Sequence, residues 1–211
     1  KSDINKLIEH LSKFGFGTKV CADCFNPDKA LLPNPEWKMN NLNFGWFKGD
    51  TVNLGVGQGY LSATPLQLAY YSTILANKGN SKELSFIHEK KDIKNLNIQL
   101  DNINGLDWKR LHQSMIGVIE SPIGTAKILQ ELKTYKVAAK SGTVELVSTD
   151  TKEDYKIIRE NEGNRDHAII IAFGPMPDPK YAVSVVVENG ESGGSVAGPV
   201  AIAVLNSLID K

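Results

Sequence analysis

Net charge is what this 211-residue chain most plainly lacks: 24 lysines and arginines offset 24 aspartates and glutamates, and the formal charge is zero. No basic block marks a nucleic-acid face, and no arginine-rich stripe marks an anionic membrane surface. Long hydrophobic runs are missing too. None reaches the roughly 20 apolar residues of a membrane-spanning helix. The first residues do not read as a signal peptide, but the chain opens at Lys1-Ser2 without an initiator methionine, so this says nothing of its compartment. Cysteine is scarce. Cys21 and Cys24 form one Cys-x-x-Cys, no second pair completes a zinc site, and the histidines are few and distant. No βαβ pattern surrounds the pair, which argues against thioredoxin-like redox catalysis. A local disulfide and two reduced surface thiols both stay open. Repeats and low-complexity tracts are absent.

The length suits one sizeable core or part of a larger domain. Ile4, Leu7, Ile8 and Leu11 recur at helical spacing, and Gly15 and Gly17 end that helix. Residues 18 to 50 have no clear period and are expected to be irregular, with Trp37, Phe44, Trp46 and Phe47 as anchors. Thr64-Pro65-Leu66-Gln67 predicts a capped helix start, with Leu66, Ala69, Tyr70, Thr73 and Ile74 inward and Asn77-Lys78-Gly79 as the stop. Residues 80 to 105 read as a polar surface excursion. Trp108, Leu111, Met115, Val118 and Ile119 stripe a third helix ended at Ser121-Pro122, and Gly124-Thr125-Ala126 leads a short fourth. Three β runs follow: Val137 to Val147, Ala168 to Phe173 and Tyr181 to Val187. Ser148 to Arg165 is expected to be a charged loop between the first two, and a proline-rich turn joins the last two. Val200, Ala201, Val204, Leu205 and Leu208 stripe a closing helix.

Several motifs fall away on inspection. Gly55-Val56-Gly57-Gln58-Gly59 has its third glycine one place early for a dinucleotide fingerprint, and its helix starts late. Asp166 and His167 are neighbours on an expected strand. Their side chains point to opposite faces, so they are read as a structural entry to the strand and not as one triad. The acidic residues are scattered over expected loops, which disfavours a two-carboxylate hydrolase.

Lys140-Ser141-Gly142-Thr143 on the first β run is the pattern that carries chemistry. A lysine gives positive charge where an anionic substrate tail arrives, two hydroxyls can bond its carboxylate, and a glycine lets another backbone lie close. Lys-Ser/Thr-Gly on a strand resembles the third active-site motif of serine enzymes that act on penicillins and D-Ala-D-Ala peptides. Further stretches share the order: Lys13-Phe14-Gly15-Phe16-Gly17, Pro35-Glu36-Trp37-Lys38, Lys48-Gly49-Asp50-Thr51 and Gly55 to Tyr60 with Ala63-Thr64-Pro65. Gly124-Thr125-Ala126, Arg165-Asp166-His167 and Glu188-Asn189-Gly190 continue it. Together they resemble the second half of a class B penicillin-binding protein transpeptidase domain, of the cell-elongation, penicillin-binding protein 2 type.

That resemblance implies a mixed α/β (α+β) fold, an antiparallel sheet flanked by helices, with residues 1–211 as the C-terminal portion of one transpeptidase domain. It implies that Val137 to Val147 is the sheet edge lining the cleft and that the closing helix packs on the sheet. It also implies a peptidoglycan D,D-transpeptidase that works through an acyl-serine and is acylated by β-lactams. No serine here is followed by lysine three places on. The resemblance places Ser-x-x-Lys and Ser-x-Asn/Asp upstream of the region matched by Ile4 to Phe14, so the chain is expected to supply neither the nucleophile nor its base, and alone to be inactive.

By the same resemblance, the implied catalytic residues are Lys140 and Thr143, with Ser141, Gly142 and Thr143 binding substrate. No cofactor and no metal are implied. Implied partners are peptidoglycan stem peptides, β-lactams and a cell-elongation glycosyltransferase, at the periplasmic face of the bacterial inner membrane, with no nucleic acid. In that compartment Cys21 and Cys24 are expected to join. The competing expectation is a non-catalytic binding or scaffold domain of the same fold.

Overall fold

The computed structural model describes residues 4–87, 93, 95–98, 105–147 and 151–210. They divide into two units, Lys1–Ile74 with Gly79–Asp101, and Leu75–Lys78 with Asn102–Lys211. Both contain helices, and each has its own antiparallel sheet. Among the described residues, no helix is long and apolar enough to cross a membrane.

The first unit begins with α1 (Ile4–Lys13). Its stop is at Gly15, where φ is +96° and a Cβ would come within 2.6 Å of the Tyr70 ring. Both the backbone angle and the space require glycine there. Residues 18 to 50, expected to be irregular, instead contain α2 (Pro35–Leu42) and begin α3 (Lys48–Gly55). Each has eight residues, too short for an apolar period to show, so end chemistry defines them. The Asn34 side chain accepts from the Trp37 N–H at 2.7 Å, Pro35 fills the first turn, and Asn43 closes α2 in the left-handed region.

Asp50 accepts from the Phe47 N–H at 2.7 Å and from Lys38 Nζ at 2.6 Å. Burial pushes the Asp50 carboxyl up, but the bonds from Lys38 and Phe47 outweigh it and leave the group below the usual carboxylate range. The aromatic anchors hold only in part. Trp37 packs on Tyr60 and Trp46 Nε1 donates to Thr51 at 2.9 Å, while Phe44 and Phe47 are exposed.

α4 (Pro65–Ala76) starts where Thr64 and Gln67 predict. The Gln67 N–H donates to Thr64 Oγ1 at 3.1 Å, and the Thr64 N–H donates to Gln67 Oε1 at 2.9 Å. Gln67 is also fully buried. Its Nε2 donates to the carbonyls of Gly15, Thr18 and Lys29, tying the turn after α1 and the segment at Lys29 to the helix. The polar excursion after α4 contains a two-stranded ladder, β1 (Asn80–Lys82) on β2 (Asn95–Asn97), which hydrophobic patterning could not reveal in strands this polar. Cys21 and Cys24 are joined in a disulfide.

In the second unit, α5 (Gly105–Glu120) buries Trp108, Met115 and Ile119. Leu111 lies at the surface, and His112 takes the inward place, its Nε2 2.8 Å from the Leu75 carbonyl oxygen and its ring against Phe173. The expected fourth helix is a 3-10 turn, Lys127–Glu131. β3 (Ala138–Val144), β4 (His167–Gly174) and β5 (Tyr181–Val187) form an antiparallel sheet in that order, with Lys140 opposite Ile171 and Ile170 opposite Val185. The near-continuous apolar run of β4 fits its central place, covered on both faces.

The expected charged loop is partly helical: α6 (Lys152–Ile158) is capped by Thr151, and a 3-10 turn follows at Glu162–Asn164. Its start, Ser148 to Asp150, lies outside the described residues. A π-helical turn, Gly193–Ala197, leads into α7 (Gly198–Ile209). Ala201, Ile202 and Leu205 of α7 join Val137, Ala139, Ala168, Ile170 and Ala172 in the core. Val200 and Val204, placed on the apolar stripe by spacing, reach the surface.

Candidate active site

β3 is an edge strand of its sheet, and its character changes along its length. Ala138 and Ala139 are fully buried; from Lys140 onward the strand reaches the surface. Small residues let the buried half pack under α5, and polar ones follow where the cover ends. Alternation then places Ala139, Ser141 and Thr143 on one face and Ala138, Lys140 and Gly142 on the other. The four motif residues therefore share an edge and not a face.

Each is held differently. Lys140 Nζ folds back to donate to the Ser141 carbonyl at 2.5 Å. Ser141 Oγ lies 2.7 Å from Thr125 Oγ1, a hydroxyl pair at the surface. The Thr143 hydroxyl donates to the Glu191 carbonyl at 3.4 Å. Gly142 stands opposite Ile169, where an added Cβ would meet only ordinary contacts, at 3.7 Å from Ile169 Cβ. The chain's own packing on β4 does not demand a glycine at this position.

The support beneath Thr143 is a charged network that sequence reading missed. Asp166, almost wholly buried, accepts from the Tyr155 hydroxyl and pairs with Arg159 at 3.3 Å. Arg159 also reaches Glu191 at 3.2 Å and lies over the Tyr155 ring. The Glu191 N–H donates to the Asp166 carbonyl at 2.8 Å. The bond to Asp166 first, then burial, pushes the Tyr155 hydroxyl up to about 12. His167 has another partner: its Nδ1 accepts from the Asn189 N–H at 3.0 Å. Asp166 and His167 therefore hold separate segments. Arg159 and Glu191 are far apart in sequence and belong to no motif, so only the meeting of α6 with the turn after β5 could reveal them.

A Ser-x-Asp triplet does occur within the chain, at Ser148-Thr149-Asp150, although the resemblance places that motif upstream of α1. It follows β3 in the chain instead of preceding α1, and it lies outside the described residues.

Among the described residues, one group could invite a metal: Cys21, Asp23 and Cys24 have ligand atoms within 4.8 Å of one another. The sulfurs are bonded to each other, and Asp23 accepts from the Ser85 hydroxyl and the N–H groups of Phe86 and Ile87. These contacts fit a loop staple.

Residues 2–206 match the family described as the penicillin binding protein transpeptidase domain. The chain is 35% identical over 201 residues to the peptidoglycan D,D-transpeptidase MrdA of Acinetobacter baumannii, covering 92% of this chain and 30% of that protein. It is 33% identical over 200 residues to MrdA of Escherichia coli K12, covering 92% and 32%. It thus spans about a third of the length of these curated relatives. The crystal structure of Pseudomonas aeruginosa PBP2 in complex with WCK 5153 superposes with a TM-score of 0.82 at 34% identity, over 99% of this chain and 44% of that one. PBP2 of Helicobacter pylori, in a complex with MreC, superposes with a TM-score of 0.80 at 32% identity, over 98% and 36%.

Proposed function

Since the chain belongs to the penicillin-binding protein transpeptidase domain family, we propose that it is the portion of a penicillin-binding protein 2-type D,D-transpeptidase that carries the Lys140-to-Thr143 strand. The observation that carries this reading is the edge position of β3, with its motif at the surface. A stem peptide ending in D-Ala-D-Ala lies along that edge as an added strand. Gly142 leaves room for its backbone. The Ser141 hydroxyl donates to the terminal carboxylate, as does the Thr143 hydroxyl once it turns from the Glu191 carbonyl, and Lys140 supplies the positive charge.

The nucleophilic serine and its base come from Ser-x-x-Lys outside these 211 residues. The serine oxygen attacks the penultimate D-Ala carbonyl as its proton passes to the base, and the tetrahedral oxyanion is held by two N–H donors, one of them from Thr143. Collapse of the intermediate breaks the peptide bond; D-alanine leaves with a proton, and an acyl-serine ester remains. The amine of a neighbouring strand attacks that ester, forms the cross-link and returns the proton to serine. A β-lactam acylates the same serine by ring opening. The protein works at the periplasmic face of the inner membrane, with a cell-elongation glycosyltransferase as partner.

The test uses the full-length protein that contains this chain. Incubation with a fluorescent penicillin followed by a denaturing gel gives a covalent label. Lys140→Ala and Thr143→Ala each slow acylation by 10-fold or more at an unchanged melting temperature, a hydrogen bond to a charged group being worth about 1.5–3 kcal/mol. A full-length protein that takes no label is a binding or scaffold domain of the same fold. Acylation within twofold of wild type in both variants removes the strand from the mechanism.

A further inference from the structure

Thr125 has no role in the functional reading, yet its hydroxyl is the partner of Ser141 Oγ, at 2.7 Å. The two oxygens come from separate segments, the turn after α5 and the edge strand β3. The turn is fixed from both sides. The Ala126 N–H donates to the Val118 carbonyl at 3.0 Å, and a Cβ at Gly124 would lie 2.7 Å from the Gly117 carbonyl oxygen. On the other side Gly194 presses on it, since a Cβ there would meet the Thr125 carbonyl oxygen. Ala126 is fully buried while Thr125 is exposed. A rigid backbone thus presents one surface hydroxyl to another.

Two hydroxyls hold two O–H donors, and their mutual bond uses one of them. The second remains for an acceptor outside the pair. A carboxylate only accepts, and Ser141 stands on the strand between Lys140 and Gly142. An anion at that edge draws the Ser141 O–H outward, and Thr125 then donates into the Ser141 oxygen. Such a chain strengthens the outer bond, because each donor polarises the next.

We propose that Thr125 is a positioning residue of the carboxylate-binding site: its hydroxyl donates to Ser141 Oγ and aims the Ser141 O–H at the carboxylate of the substrate or β-lactam. This rests on the reading above that Ser141 binds that carboxylate. Thr125 does not touch the reacting carbonyl, and its effect is confined to ligands that carry the anion.

Full-length wild type, Thr125→Val, Thr125→Ala and Thr125→Ser are acylated with benzylpenicillin and with its methyl ester, each read by competition against a fluorescent penicillin. Thr125→Val and Thr125→Ala lower the second-order rate constant for the acid about tenfold, in keeping with loss of one hydrogen bond that supports a charged contact. They change the ester rate less than twofold. Thr125→Ser, which keeps the hydroxyl, stays within twofold of wild type on both, and melting temperatures agree within about 2 °C, as expected for an exposed site. Equal losses on acid and ester, no loss in Thr125→Val and Thr125→Ala, or a Thr125→Ser variant as slow as these two overturns the proposal alone. A wild type that takes no label overturns it together with the function.

Discussion

Gly193 lies against Gly142: a Cβ at Gly193 would stand 2.5 Å from the Gly142 carbonyl oxygen and 3.0 Å from its nitrogen, and would also meet the Ile169 carbonyl. These are backbone atoms of two paired strands, which cannot swing away as a side chain would. The turn after β5 therefore fixes the height of the strand that carries Lys140 and Thr143.

Gly193→Ala is expected to destabilise the protein by about 1–3 kcal/mol through overpacking. Gly49→Ala is the control, since a Cβ there would find nothing within 4 Å. It leaves the melting temperature unchanged or slightly raised, as expected for alanine replacing glycine in α3. Equal melting temperatures for Gly193→Ala and wild type would show that the turn can move off the strand.

Asp166→Asn leaves the Arg159 charge without its buried partner and should cost about 3 kcal/mol in urea denaturation. Alkali tests the same network. Tyr155 is pushed up to about 12 in the fold, above the value near 10 of an unfolded tyrosine. The neutral phenol is the form the fold favours, so its contribution is complete below about pH 10 and is lost as pH rises toward 12. Between those values the urea midpoint of wild type should fall more steeply than that of Tyr155→Phe. Parallel curves would contradict the bond to Asp166.

Gln67 donates to three carbonyls, two in the turn after α1 and one at Lys29, sharing the two N–H bonds of one buried amide. Gln67→Leu should cost about 2–4 kcal/mol, because buried acceptors lose their donors. Gln67→Glu should be at least as harmful, since it sets an acceptor where three carbonyls converge. A Glu variant as stable as wild type would mean that water or another donor fills that role.

Cys21 and Cys24 should appear in intact mass under non-reducing conditions as two hydrogens fewer than the dithiol. Cys24→Ser should lower stability by about 2 kcal/mol by the chain-entropy estimate for so short a loop. Two thiols that alkylate freely without reductant would refute the pairing.

What could be read along the chain was whatever local chemistry dictates. Thr64, Pro65 and Gln67 announce α4 because a capping box lies within four residues, and the apolar run from Ala168 to Phe173 announces a buried strand. α2 and α3 escaped because eight residues leave no period, and β1 with β2 because their residues are mostly polar. In α5 the helical spacing was right but the inward residue was wrong. His112 goes inward and Leu111 outward, because the carbonyl of Leu75 offers the buried imidazole a partner.

The Lys-Ser-Gly-Thr motif is legible because its spacing is a property of one strand, where alternation and rise are set by the backbone itself. Its surroundings are a property of distance in space. Thr125 with Ser141, Thr143 with Glu191, Arg159 with Asp166 and Glu191, and Gly193 under Gly142 each join segments that are separate in sequence. Sequence alone determined the chemistry available at the strand and the elements that local propensity and capping enforce. Only the tertiary structure decided which hydroxyl stands beside Ser141 and which turn supports Thr143, because the packing of sheet, helices and turns, and not any local rule, brings distant side chains within hydrogen-bond reach.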